Sequence, residues 1–182
     1  AASSPSSSPR FRRSASAMSA GLVACIGLGA NLGDAQATVA TAMRALSTVP
    51  GITQVQGSRL YRSAAWGRTD HPDFINACAR LRTTLPATVL LERLQVLELA
   101  HGRQRLPGSH WGPRTLDLDL LLYGDQVINL PQLQVPHRWM HLRAFVMLPL
   151  AEVAAELLVP GHGCVADVAA SLDPSEVQPI GG

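Results

Sequence analysis

Residues 110–123, HWGPRTLDLDLLLY, join a Gly-Pro turn to an aliphatic run that two acidic residues interrupt. After the turn, leucines alternate with Asp117 and Asp119, and a repeat of two residues is the repeat of a β-strand. Alternate residues of a strand point to the same face, about 7 Å apart. The stretch therefore predicts a strand whose leucines enter a core while both aspartates stand side by side on the other face.

Two carboxylates held this close repel each other, and aspartate is also a poor strand residue. A divalent cation would offset that cost, since Mg²⁺ takes carboxylate oxygens and is usually held by one or two acids together with substrate phosphates. The pair therefore predicts a magnesium site at Asp117 and Asp119. The alternative is an amphipathic strand whose exposed acids pair with Arg114, because a lone D-x-D motif is not specific.

Composition limits the class of protein. The 182 residues, 47% of them hydrophobic, suit one globular domain. All 15 basic residues are arginines; three lie in residues 1–20, so 12 remain against 13 acidic residues, a net charge of about −1. That balance disfavours a general nucleic-acid binder, and no apolar run is long enough to cross a bilayer. Three dispersed cysteines predict a reducing compartment, and we expect a cytoplasmic monomer.

The two ends differ in composition from the body of the chain. Residues 1–20 are rich in Ser, Ala and Pro, and we expect them to be a disordered leader, either a targeting segment or residues preceding a start at Met18. Residues 21–174 form the expected single domain. Residues 175–182 are expected to be a flexible tail.

The body reads as alternating strands and helices. Apolar periodicity and turn residues predict strands at 22–28, 52–61 and 74–85, helices at 34–46 and 86–100, and then the aspartate strand. This βαββαβ order predicts an α+β, ferredoxin-like fold with helices on one face of an antiparallel sheet and the other face open to ligand. Two further helices are expected at about 144–155 and 164–172.

A glycine-rich segment follows the first predicted strand. Gly27, Gly29 and Gly33 do not have the G-x-G-x-x-G spacing of a dinucleotide site. We therefore interpret these glycines as turn residues.

Arginines surround the aspartate strand in sequence. Arg103 and Arg105 precede it, Arg114 begins it, and Arg143 follows a Pro-His turn. Planar guanidinium groups suit polyphosphates, so with paired aspartates they predict a nucleoside triphosphate site. Taken singly, each arginine could equally be a solvated surface residue.

Aromatic residues complete the pattern. Trp66, Phe74, Trp111 and Phe145 could hold a flat heterocycle, and Asn76, two residues after Phe74 on the same strand face, could read its edge. A buried phenylalanine is nevertheless a core residue far more often than a ligand contact.

Several ordered motifs together resemble one family. The run HWGPRTLDLDLL is similar to the diagnostic motif of the 6-hydroxymethyl-7,8-dihydropterin pyrophosphokinases of folate biosynthesis. The resemblance extends over residues 23–160 through GLGANLGD, SRLYRS, HPDFINA, LELAHGRQR, VINLPQLQVPH and RAFVMLPLAEVAAEL.

This resemblance implies transfer of the diphosphate of ATP to the pterin hydroxymethyl group, with AMP as the other product. It implies two Mg²⁺ ions on Asp117 and Asp119, and catalytic roles for Arg103 and Arg105 on a loop that closes over the nucleotide. The implied nucleotide contacts are Gln95, Glu98, Arg105, Trp111, Arg114, His137 and Arg143. The implied pterin contacts are Ser63, Ala64, Trp66, Phe74, Asn76, Trp111 and Phe145. The implied partners are small molecules alone, with no nucleic acid and no membrane.

The chain departs from the family pattern at several positions. Residues 63–66 read SAAW in place of Thr-Pro-Pro-Leu, Phe74 replaces a frequent tyrosine, and His110 replaces a frequent arginine. The loop between Arg105 and Trp111 is one residue longer than in a known member. Positions that can contact ATP in that member are here Gln132, Gln134 and Arg138.

Two other classes of protein stay open at this point. A different two-metal enzyme, such as a nuclease or nucleotidyltransferase, would need the aspartates but not Phe74 or Asn76. A catalytically silent ferredoxin-like binding module would need none of these residues.

Overall fold

The computed structural model describes residues 21–64, 72–102 and 115–181. The strands are β1 (Leu22–Ala30), β2 (Ile52–Gly57), β3 (Leu60–Ser63), β4 (Phe74–Thr83), β5 (Asp117–Tyr123), β6 (Ile128–Leu130), β7 (Leu133–Val135), β8 (Leu158–Val159), β9 (Gly163–Cys164) and β10 (Val177–Ile180). The helices are α1 (Ala35–Leu46), α2 (Ala87–Ala100), a 3-10 helix (Met140–Leu142), α3 (Ala144–Ala154) and α4 (Val165–Ala170).

The main sheet is antiparallel. Its strand order is β10-β3-β4-β1-β5, with β2 also paired to β4. Two small hairpins, β6–β7 and β8–β9, stand apart from it. Together with α1 and α2, the sheet forms the expected βαββαβ ferredoxin-like arrangement. The strands that carry Asn76 and Asp117 are thereby separated by β1 alone.

The alternation of β1 divides the protein into two cores. Ile26 and Leu28 pack beneath α1 and α2, whereas Cys25 lies on the opposite face among apolar residues of α3 and α4. The second face is therefore not wholly open, contrary to expectation, because Met147 and Leu150 of α3 are fully buried against it. Ligand can reach only the part of this face that α3 leaves uncovered.

The strand expected at 52–61 is two strands. β2 ends at Gly57, and Ser58 bridges to β4 by donating its N–H to the Cys78 carbonyl at 2.8 Å while its Oγ accepts the Cys78 N–H at 2.9 Å. The Arg59 N–H and Nε each donate to the Glu152 carboxylate at 2.8 Å. These contacts turn the chain between β2 and β3, and the apolar periodicity of residues 52–61 does not predict them.

Residues 177–180 are not the flexible tail that composition suggested. They form β10, which pairs with β3 from Val177↔Ser63 to Ile180↔Leu60. The reason is tertiary, since β3 would otherwise leave its outer backbone groups unpaired, and Val177 is buried at 7% exposure. Within the described ranges, no helix combines the length and the apolar character that a membrane span requires.

Asp34 caps α1, and the helix begins where the helix expected at 34–46 should begin. Its Oδ1 accepts a hydrogen bond from the Ala37 N–H at 3.0 Å, which satisfies one of the N–H groups left without a partner in the first turn.

Asp34→Ala should lower the free energy of unfolding by about 1 kcal/mol, because the first turn of α1 loses this acceptor. Urea denaturation followed by circular dichroism measures the change. Asp125→Ala is the matched control, since Asp125 is an exposed turn residue, and it should leave stability unchanged. Equal losses in both variants would contradict a capping role.

Candidate active site

Asp117 and Asp119 lie on the face opposite the leucines between and after them. Leu118 and Leu120 are each 3% exposed and belong to the core under α1 and α2. Both aspartates are partly exposed, and the Asp119 side chain has 41% of its surface exposed. The alternation predicted for this stretch is confirmed, so the two acids lie side by side on one surface.

The register of the sheet aligns these acids with residues of β4 across two glycines of β1. Gly29 pairs with Asp117 on one side and with Asn76 on the other. Gly27 pairs in the same way with Asp119 and Cys78. Residues paired directly across antiparallel strands point to the same face, and neighbouring strands lie about 4.8 Å apart. Asn76 and Asp117 therefore face the same space, about 10 Å apart, with no side chain between them.

Gly27 lies in the strand expected at 22–28, but the interpretation of Gly29 as a turn residue was wrong. Both lie inside β1, and of the three glycines only Gly33, with φ of +58°, has the left-handed backbone of a turn. Sequence reasoning missed their role because a glycine inside a strand and a glycine in a loop look alike without the register.

The two strand glycines have different surroundings. A Cβ added to Gly27 would lie 3.5 Å from the Leu121 side chain, which is ordinary van der Waals contact. A Cβ added to Gly29 would lie 3.3 Å from Asn76 Oδ1, which is tight. The protein's own core thus fills the space over Gly27, while the space over Gly29 borders the Asn76 amide.

Asn76 is held in one orientation. Its Nδ2 donates to Ser63 Oγ at 2.9 Å, and both side chains are 7% exposed. Its Oδ1 then points towards Gly29. Phe74 is partly buried two residues earlier on the same strand, and Ala64 is exposed after Ser63. An amide fixed in this way can hydrogen-bond the edge of a flat ring.

His137 lies beside the aspartates. Its backbone N–H donates to the Leu121 carbonyl at 3.0 Å, and its ring atom Nε2 is 3.9 Å from Asp119 Oδ1. Burial lowers the pKa of His137, and the positive charge of Arg143 lowers the pKa further, while the negative charge of Asp117 opposes both. The His137 ring is therefore neutral at neutral pH. The distance of 3.9 Å between its Nε2 and Asp119 Oδ1 is too long for a hydrogen bond. Its buried Nδ1 has no hydrogen-bond partner among the described residues, as in a site that receives a polar ligand.

Glu98 has a structural position that sequence reasoning did not foresee. It is 2% exposed on α2, and its Oε1 accepts the N–H of Leu118, the residue between the two aspartates, at 2.9 Å. This contact fixes the edge of β5. Gln95, three residues earlier on α2, is partly exposed.

A cavity of about 320 Å³ opens next to Asp119. It lies between α2, β5 and the β6–β7 hairpin, and this size suits a small ligand. Its lining is Leu91, Leu118, Asp119, Leu120, Leu130, Pro131, Gln132, Leu133, Gln134, His137 and Arg138. The apolar lining was missed because its side chains meet only when the β6–β7 hairpin packs beside β5 and α2.

Arg143 and Phe145 stand at the start of α3. The Arg143 guanidinium lies 5.9 Å from the centre of the Phe145 ring, and both side chains are partly exposed. Other predicted site residues lie outside the described residues: Trp66, Arg103, Arg105, Trp111 and Arg114.

Comparison with known proteins gives a consistent result. The family model described as 7,8-dihydro-6-hydroxymethylpterin-pyrophosphokinase matches residues 25–155. A 2-amino-4-hydroxy-6-hydroxymethyldihydropteridine pyrophosphokinase of Pseudomonas aeruginosa is 44% identical over 135 residues, 74% of this chain and 82% of that protein. The enzyme of the same name from Methylorubrum extorquens is 41% identical over 157 residues, 86% of this chain and 98% of that protein.

Solved structures show the same fold. A structure described as HPPK-DHPS in complex with substrates has a TM-score of 0.63 at 11% identity, and the match covers 82% of this chain. The wild-type Plasmodium falciparum HPPK-DHPS with SDX-DHP has a TM-score of 0.62 at 12% identity and the same coverage. This chain spans 43% of the length of each of those chains, so the likeness concerns one part of each.

The family model covers most of the chain and the relatives exceed 40% identity over most of their own length. This chain therefore belongs to the 7,8-dihydro-6-hydroxymethylpterin-pyrophosphokinase family and is a pyrophosphokinase of folate biosynthesis.

Proposed function

We propose that this chain transfers the diphosphate of ATP, in a magnesium-dependent reaction, to the hydroxymethyl group of 6-hydroxymethyl-7,8-dihydropterin, and that it releases AMP. The observation that carries the proposal is the row Asn76, Gly29 and Asp117 across three neighbouring strands. The Asn76 amide can hydrogen-bond a heterocycle, and the Asp117 carboxylate can bind a metal. Both face the same space, and Gly29 between them contributes no side chain. The cavity at Asp119 adjoins that space and suits the nucleotide.

The aspartate pair fits magnesium. Asp117 and Asp119 offer partly exposed oxygens on one face, and Mg²⁺ is usually bound by one or two carboxylates with phosphate oxygens and water completing the shell. The described residues contain no cluster of three or more metal-ligating side chains, which agrees with a site that substrate completes. We propose two ions here, and bound Mg²⁺ would neutralise the charge of the transferred group.

The remaining side chains divide between the two substrates. Phe74 and Phe145 would hold the pterin between their rings while Asn76 binds its edge, with Ser63, Ala64, Trp66 and Trp111 around it. The nucleotide contacts we propose are Gln95, Glu98, Arg105, Trp111, Arg114, His137 and Arg143. Arg103 and Arg105 would bind the phosphates as their loop closes, which would exclude water from a reaction that competes with hydrolysis.

The reaction would then depend on how the two substrates are positioned relative to each other. A pterin bound to Asn76 and lying over Gly29 would direct its hydroxymethyl group towards Asp117 and the β-phosphorus of ATP, in line with the leaving AMP. None of the proposed contacts is assigned as a general base. We further propose that the protein acts as a monomer in the cytoplasm on these two small molecules alone.

The decisive assay follows AMP release from Mg-ATP with and without 6-hydroxymethyl-7,8-dihydropterin. We expect AMP and the pterin diphosphate to form in equal amounts, and AMP to stay at background without the pterin. AMP formation at the same rate without the pterin would contradict the proposal.

Asp117→Asn and Asp119→Asn should each lower kcat/KM by roughly 100-fold, because each removes a carboxylate charge from the metal site. Mg-ATP binding, measured by calorimetry, should weaken as well. Asp125→Asn removes an exposed turn carboxylate and serves as the control, with activity expected to stay within about twofold. Unaltered Mg-ATP binding in both site variants would instead favour a binding module that does not use these acids.

Gly29→Ala should raise the KM for the pterin by about tenfold while the affinity for Mg-ATP changes less than about twofold, since the new methyl group enters the space beside Asn76 Oδ1. Gly27→Ala is a matched control on the same strand face, because the atoms nearest to its methyl group belong to Leu121 and lie at ordinary distance. Steady-state kinetics with either substrate varied separates the two effects. If both variants behave alike, the pterin does not lie over Gly29.

A further inference from the structure

An exposed arginine and an exposed tryptophan lie together at the cavity. Arg138 lines the cavity with Asp119 and His137, and its guanidinium carbon is 4.8 Å from the centre of the Trp139 ring. Trp139 has 47% of its surface exposed. A tryptophan ring with this exposure contributes little to a hydrophobic core. Its cation–π contact with Arg138 is therefore the interaction that can give it a role.

Backbone hydrogen bonds place this pair relative to the aspartate strand. The His137 N–H is bonded to β5, as described above, and the Met140 N–H donates to the His137 carbonyl at 3.2 Å. The Leu142 N–H donates to the Trp139 carbonyl at 3.1 Å, and Met140 is fully buried. Trp139 therefore stands on an ordered turn, and its ring can restrict where the arginine goes.

The hydrogen-bond donors of Arg138 are available to a ligand. In residues 21–64, 72–102 and 115–181, Arg138 makes the contact with Trp139 but no hydrogen bond or ion pair. A cation–π contact is electrostatic and uses none of the hydrogen-bond donors of the guanidinium, so these donors stay available to an anion. Because its rotamers are already restricted, less entropy is lost when an anion binds.

The position favours the phosphate end of a nucleotide. Leu91, Leu130 and Leu133 give the cavity an apolar part that suits a base. Arg138 instead follows His137 directly and shares the cavity with Asp119, which we propose as a metal ligand.

We propose that Trp139 is a positioning residue that holds the Arg138 guanidinium at the rim of the cavity, where Arg138 binds an anionic phosphate oxygen of the nucleotide. This inference rests on the proposed function, because it takes ATP as the ligand. It adds the role of Trp139, since Arg138 itself stands at a position that can contact ATP in a known member of the family.

The test is a double-mutant cycle with Mg-ATP and adenosine as calorimetric probes. Arg138→Leu should weaken Mg-ATP binding about tenfold, because it removes a charged donor. Trp139→Leu should weaken it about threefold, and Trp139→Phe by less, because phenylalanine keeps a weaker cation–π contact. The double variant should bind no more weakly than Arg138→Leu alone, and the affinity for adenosine should stay the same throughout.

Leu142→Ala provides the control, since Leu142 is 62% exposed on the neighbouring 3-10 helix and should not affect binding. Additive losses in the double variant, an equal loss for adenosine, or no loss in Trp139→Leu would each overturn the positioning role. Failure of the wild-type protein to bind Mg-ATP would instead overturn the proposed function, so the two failures are distinguishable.

Discussion

Everything in the site depends on the pleat of β5. Because successive side chains of a strand point in opposite directions, burying Leu118 and Leu120 beneath the helices obliges Asp117 and Asp119 to face the other way. The buried leucines also fix the register, since a slip of one residue would place the acids in the core. Hydrophobic burial on one face therefore offsets the repulsion of two carboxylates on the other. The hydrogen bond from the Leu118 N–H to Glu98 holds the same strand from its outer edge.

The register then relates the acids to the rest of the site. Asn76 is 41 positions away from Asp117 in sequence, yet the pairing of β1 with both strands brings the two residues into one row. The two ends of this row, Asn76 and Asp117, differ in how firmly their side chains are held. Asn76 is locked by Ser63, while the aspartates stay accessible enough to take ligands. Such a division suits an enzyme that must orient one rigid substrate and neutralise a charged one.

The sequence predicted whatever depends on neighbours along the chain. The β5 alternation, the Asp34 cap and the βαββαβ order all follow from local patterns, and the structure confirms them. The break between β2 and β3 could not be predicted, because Arg59 turns there to reach Glu152, 93 positions away. The place of Gly29 inside β1 and the pairing of β10 likewise depend on partners remote in sequence. The same holds for the site, where paired acids can be recognised in one strand but a cavity lined from three elements cannot.

Both outer strands of the main sheet have consequences for how copies of this protein meet. On one side β10 covers β3 and contributes Pro179, which has no N–H to offer a neighbour. On the other side Glu98 occupies the Leu118 N–H and His137 occupies the Leu121 carbonyl. At these positions the backbone groups that could pair with a strand of another molecule are therefore already hydrogen-bonded or, at the proline, absent. The hydrogen bonds along β5 and the proline of β10 therefore also protect the folded protein against intermolecular β-aggregation in a crowded cell.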